Sequence, residues 1–140
     1  MASSTYNVFK GKIMGGDYDL STGGNTLKCA LTTNLYIPAL SDATFADVDN
    51  EVVGTGYTAD GKTMTGQQVT VENGTNEGKF DAEDTQWTGA SFTARYAVLY
   101  ATDATPADSL ICWIDFGSNV TVTAGTLTIA WDSDGIINIG

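Results

Sequence analysis

The order of apolar and polar positions along the chain changes period several times, and each change predicts an element. Over residues 6–14, Val8, Phe9, Ile13 and Met14 fall at spacings that suit one helical face, and Gly15-Gly16 supplies a left-handed stop. A short helix packed on a sheet edge is expected, with residues 1–24 forming an N-terminal arm or helix. Over residues 25–32 the period drops to two, Leu27, Cys29 and Leu31 alternating with Thr26, Lys28, Ala30 and Thr32, which predicts a half-buried strand. Residues 34–50 hold Pro38 and scattered Asp and Ala without a stable period. They read as a long loop with at most a helical turn around Phe45.

Beyond Glu51 the chain becomes turn-rich. Gly54, Gly56, Gly61 and Gly66 punctuate short Val, Tyr, Thr and Met pieces, and Asp60-Gly61 is a hairpin signal. Val69 and Val71 alternate with polar neighbours over residues 68–72, closed by Asn73-Gly74, whose residues accept positive φ. Residues 79–87 place Phe80 and Ala82 opposite Asp81 and Glu83, predicting a strand with an acidic outer face. Residues 93–100 are apolar on both faces apart from Arg95, and residues 110–116 run almost continuously apolar to Gly117, so both read as central strands. Residues 126–131 alternate Leu127, Ile129 and Trp131 with Thr126, Thr128 and Ala130, and residues 136–139 form a last strand after the Asp134-Gly135 turn. Roughly seven to nine short strands at this spacing predict an all-β fold. No fixed-period repeat points to a solenoid or propeller. The expectation is one antiparallel β-sandwich, jelly-roll or immunoglobulin-like, over residues 1–140.

Composition narrows the function classes. The chain has 140 residues, a length that suits one domain, and six Lys plus Arg against seventeen Asp plus Glu give a net charge of −11. Such a surface repels nucleic acid and anionic membrane, so neither is an expected partner. No run approaches the eighteen apolar residues of a membrane-spanning helix, and residues 1–12 do not read as a secretory signal. The absence of histidine removes the commonest general base and metal ligand, so Ser-His-Asp hydrolysis and the usual zinc chemistries are not expected.

The remaining chemistry-bearing residues give ordinary structural readings. Cys29 and Cys112 each sit in an alternating apolar stretch and are expected to be small buried hydrophobes rather than a disulfide or a catalytic thiol. Asp47, Asp49 and Glu51, then Asp81, Glu83 and Asp84, then Asp132 with Asp134, are acidic clusters, but each offers too few oxygens for calcium alone. Solvated turn carboxylates are the simpler reading, and no metal or cofactor is expected. The same acids lack the aromatic surroundings of a glycosidase pair, although Trp87, Trp113 and Tyr57 leave a carbohydrate-binding module as an alternative. Gly54-Thr55-Gly56 lacks the lysine-serine or lysine-threonine ending and the following helix of a phosphate loop. No catalytic residue is assigned.

Arg95, the chain's sole arginine, is expected to pair with Asp81, Asp84 or Asp115 at a sheet edge or a subunit contact. Aromatics in irregular segments must fold back on the core or meet another chain. Tyr6, Phe9, Tyr36, Phe45, Tyr57 and Arg95 are therefore the candidate partner-contact residues. The segment 6–14 and the loop 34–49 are the candidate contact elements.

A set of segments carries a resemblance. Tyr6-Asn7-Val8-Phe9-Lys10, Thr26-Leu27-Lys28-Cys29-Ala30-Leu31 and Asn50-Glu51-Val52-Val53-Gly54-Thr55-Gly56-Tyr57-Thr58 resemble a family of small structural proteins of tailed bacteriophages. The likeness continues through Phe80-Asp81-Ala82-Glu83-Asp84-Thr85-Gln86-Trp87, Phe92-Thr93-Ala94-Arg95-Tyr96-Ala97, Ile114-Asp115-Phe116-Gly117 and Thr126-Leu127-Thr128-Ile129-Ala130-Trp131. The resemblance implies a virion structural protein without catalytic residues, most readily a capsid decoration or cement protein. A tail or head-fibre component is the alternative. The implied partner is the major capsid protein, with a homotrimer as the compatible assembly, and the implied location is the capsid exterior after assembly in the host cytoplasm.

Overall fold

A computed structural model describes residues 2–140, so Met1 lies outside the described residues. The described chain holds strands β1 (Ala2–Thr5), β2 (Leu27–Thr32), β3 (Lys62–Thr63), β4 (Gln68–Glu72), β5 (Glu77–Asp81), β6 (Thr85–Ala101), β7 (Ser109–Ile129) and β8 (Ile137–Ile139), with helix α1 at Asn7–Gly15. The strands form two antiparallel sheets, one ordered β1-β7-β6-β2-β3 and one ordered β4-β5-β8. The fold is all-β with a short N-terminal helix. No described helix is long and apolar enough to cross a membrane.

The helix ends where the sequence predicts. Gly16 takes the left-handed conformation at φ 76°, so its N–H and that of Asp17 return to the Ile13 and Lys12 carbonyls that the helix leaves unpaired. Residues 2–5, expected within an arm, instead form the edge strand beside β7. Phe9 of the helix then joins Tyr18 and Leu20 in the core.

The dominant element is the ribbon of β6 and β7, which merges segments that read as separate strands. Gly117, expected to end a strand, lies in a bulge: Ala94 pairs with Val120 but Tyr96 pairs with Asp115, so β7 carries extra residues at this point. Further register shifts fall beside Gly89 and Ala124, both at positive φ. Bulges add twist and bend to a ribbon. Here they let both halves of the ribbon line one core: Trp87, Phe92, Ala94 and Ile129 from the outer limb meet Ala97, Leu99, Ile111 and Ile114 from the inner limb. Phe80 and Ile137 of the small sheet complete the same cluster.

The inner end of the large sheet is also buried on its opposite face. Ala30, Val98, Tyr100 and Leu110 form a second cluster there with Tyr6 and Tyr36, flanked by Val8, Phe45, Val48, Tyr96 and Trp113. The two-sided apolar character of residues 93–100 requires such a cover. The loop 33–50 supplies it, with a single 3₁₀ turn at Phe45–Asp47.

Candidate interaction site

The loop that covers the sheet also carries exposed apolar residues. Residues 35–37 are consecutive apolar side chains that follow the turn closed by the Tyr36 N–H on Thr33 O at 3.3 Å, and Tyr36 turns inward while Leu35 and Ile37 lie outward. Tyr36 is buried, whereas Leu35 is 69% and Ile37 82% exposed, and Leu40 nearby is 45% exposed. Fully burying one such side chain is worth about 1.5–3 kcal/mol. Three of them within six residues make this loop a site that gains by being covered.

The mount beneath these residues is densely hydrogen-bonded. The Tyr36 hydroxyl donates to Asp42 Oδ2 at 2.9 Å and shares a 2.9 Å hydrogen bond with the Tyr6 hydroxyl. Asp42 Oδ2 also accepts the Ala39 N–H at 3.1 Å. Main-chain bonds tie the loop to its surroundings: Asn7 N–H to Leu40 O at 2.9 Å, Thr33 N–H to Asn50 O at 2.9 Å, and Phe45 N–H to Asp108 O at 2.9 Å. Asp47 accepts the Ala43 and Thr44 N–H groups, and these bonds hold its carboxyl below the ordinary carboxylate range. The ring of Phe45 stacks on Tyr100 with centroids 4.4 Å apart. Burial pushes the Tyr6, Tyr36 and Tyr100 hydroxyls far above the ordinary phenol value.

The sequence-expected contact residues occupy this mount more than its surface. Tyr6, Phe9 and Tyr36 are buried in the chain's own clusters and offer no face to a partner in this fold. The physical reason is the doubly apolar sheet end, which consumes aromatic side chains as cover. Phe45 and Tyr57 are half-buried. Tyr57 lies between Trp87 and Phe92, and its hydroxyl donates to Glu51 Oε1 at 2.7 Å while accepting the Leu31 N–H at 2.9 Å. Arg95 pairs with Asp115, Nε to Oδ1 at 2.7 Å and Nη2 to Oδ2 at 3.2 Å. Asp115 Oδ1 also accepts the Gly117 N–H at 2.7 Å, so the pair fastens the bulge. The guanidinium beside it is the first cause of the low Asp115 pKa. The pairing thus takes the third of the three partners expected for Arg95, within the chain. Leu35, Ile37 and Leu40 were not singled out by their types, but three successive apolar residues before Pro38 in a loop cannot all face inward.

The acidic clusters are engaged with backbone and hydroxyl donors. Glu51 Oε1 accepts the Asp60 N–H at 2.7 Å, Glu83 accepts the Thr65 hydroxyl at 2.6 Å, Asp84 accepts the Trp131 N–H at 3.1 Å, and Asp132 accepts the Asp134 N–H at 3.0 Å. Among the described residues no group of three acids or cysteines is arranged to hold a metal ion. Trp87 is buried and Trp113 packs on Tyr6 with centroids 4.8 Å apart, so neither lies open as a sugar platform.

Cys29 and Cys112 are free and buried, as the alternation predicts. Both pair with Leu99, from opposite sides, which puts them two strands and thus about 9–10 Å apart. A disulfide needs Cα atoms within about 7 Å. Burial pushes the Cys112 thiol up to about 12.

These features define a two-sheet all-β protein with a hydrogen-bonded loop that exposes Leu35, Ile37 and Leu40. No family model, curated protein or solved structure matches the chain.

Proposed function

We propose that the chain is a structural protein of a tailed-bacteriophage particle, a capsid decoration or cement protein that bridges neighbouring major capsid subunits from outside. The observation that carries the reading is the set of exposed Leu35, Ile37 and Leu40 on a loop fixed by the Tyr6, Tyr36 and Asp42 hydrogen bonds. The resemblance of the segments around Phe9, Gly54, Trp87 and Asp115 to small phage structural proteins points the same way. A preorganised loop loses little conformational entropy on docking, so the apolar area it buries is turned into affinity. Each copy needs only a modest patch, because contacts to several capsid subunits multiply its retention. The net charge of −11 suits a neutral or basic receiving surface and predicts docking that weakens as salt screens it.

The test is quantitative mass spectrometry of purified particles of the phage that encodes the chain, with immunogold labelling. Copies in proportion to the capsid lattice, labelled over the head, are expected. A few copies at the tail would replace this reading with the tail-component alternative, and absence from particles would overturn both. On particles stripped of the protein, the Leu35→Asp/Ile37→Asp variant should rebind at least about tenfold more weakly than the unaltered chain, a loss equivalent to ~1.4 kcal/mol.

A further inference from the structure

The outer limb of β7 presents an open sheet edge. β6 lies on one side of it throughout, but on the other side β1 pairs only with residues 112–115. None of the main-chain hydrogen bonds outside the ladders involves residues 117–130 among the described residues. The Gly117 N–H reaches Asp115 Oδ1 and the Ala124 N–H reaches Ser91 Oγ, and the other outward N–H and C=O groups of this limb have no protein partner among the described residues. The matching edge of β6 is different: Thr55 bridges Ser91, the Ser91 N–H reaches Thr55 O at 2.9 Å, and the Lys62 ammonium donates to Gln86 O.

Natural proteins blunt open edges with lysine, proline or inward-pointing charge. Apart from the bulges at Gly117 and beside Ala124, which bend it, this limb carries none: residues 116–131 contain no charged residue and no proline, although the chain holds seventeen acids and six bases. The edge instead alternates Val120, Val122, Leu127 and Ile129 with Thr121, Thr123, Thr126 and Thr128, a strongly strand-forming pattern. Beside it runs a groove of about 300 Å³ lined by Phe116, Val120, Leu127 and Ile129. The adjoining charge, Asp115, is already neutralised by Arg95.

We infer that this edge pairs with the same edge of a second copy, forming a two-fold dimer with one continuous sheet across it. Charge selects the occupant. A basic partner would be drawn to the acidic turns, whereas two copies of net charge −11 meet with least repulsion where neither carries charge. The edge is also self-complementary, because an antiparallel partner with the same alternation adds apolar side chains over the groove and threonines over the opposite face. A two-fold axis closes the assembly at this edge, since each copy uses the same limb. A trimer would need another surface.

Sedimentation equilibrium of the full chain and concentration-dependent hydrogen exchange test the inference. The unaltered chain should shift reversibly from monomer to dimer, with amides in residues 120–129 gaining protection as the dimer forms. The Thr126→Lys/Thr128→Lys variant, at two exposed positions, should dimerise at least about tenfold more weakly at unchanged thermal stability. A monomer at every concentration would overturn the inference, as would a dimer untouched by the two lysines. Protection confined to the loop 34–50 or to the small sheet would do the same. The exchange measurement needs no variant, so a misfolded variant leaves the test intact. Particle binding is not involved, so failure of the capsid reading would leave this outcome unaffected.

Discussion

The inner end of the large sheet and the small β4-β5-β8 sheet are built from strands with similar alternation, but they end in different environments. In β2 every residue but Lys28 is buried, and Val98, Leu99 and Tyr100 of β6 are covered on both faces. In β4 every residue is exposed: Val69 and Val71 share a face with the buried Phe80 and Ile137, yet are 53% and 76% exposed. The small sheet overhangs the core, closed at Phe80 and open beyond it. Alternation therefore decides which face of a strand is apolar, while the depth of burial depends on what other elements lay over that face.

This contrast predicts where the fold fails. The largest effect is alkaline. Cys29, Cys112, Tyr6, Tyr36, Tyr57 and Tyr100 all have pKa values raised chiefly by burial, and none lies in the small sheet. A raised folded-state pKa gives stability that is full below the unfolded value and is lost as pH climbs toward the folded one. Unfolded thiols titrate near about 8.5 and phenols near about 10, and each unit of separation is ~1.4 kcal/mol per group. Cooperative unfolding is expected between about pH 10 and 12, with tyrosinate absorbance rising together with loss of near-ultraviolet circular dichroism. Phenols ionising near their ordinary value in a chain that keeps its dichroism would break the picture.

Next in size is Leu99→Ala. Leu99 is fully buried between Cys29 and Cys112, and truncation should cost about 2–5 kcal/mol in urea denaturation. Tyr36→Phe should cost about 1–3 kcal/mol, since it leaves Tyr6 without its hydroxyl partner in a buried site. In the overhanging sheet, Val71→Thr should change stability by no more than about 0.5 kcal/mol, and a loss matching Leu99→Ala would show that the two sheets are equally cored.

Much of this architecture is legible in the sequence. The helix stop at Gly15-Gly16, the strand around Cys29, the turn at Phe45 and the final strand after Asp134-Gly135 all follow from period and turn chemistry. Two things were not legible. Gly117 reads as a strand end, but positive φ also serves a bulge, and only the partner strand distinguishes the two. The loop 33–50 was legible as an element, but not its surface, because Tyr6 and Tyr36 meet across thirty residues of sequence. That meeting decides which aromatic is core and which neighbour is left outside.

The pairing of β1 with β7 has a kinetic consequence. The β6-β7 ribbon can zip from the turn at residues 102–108 through contacts close in sequence, whereas Ala2 must find Asp115 near the far end of the chain. Contacts of long separation form late, so during synthesis β1 waits until β7 has left the ribosome. Its sequence, Ala2-Ser3-Ser4-Thr5, offers no large apolar side chain while it waits. The loop 33–50 leans on the residues that follow β1, through Asn7 and Tyr6, so its apolar residues reach their final arrangement only when the sheet is otherwise assembled.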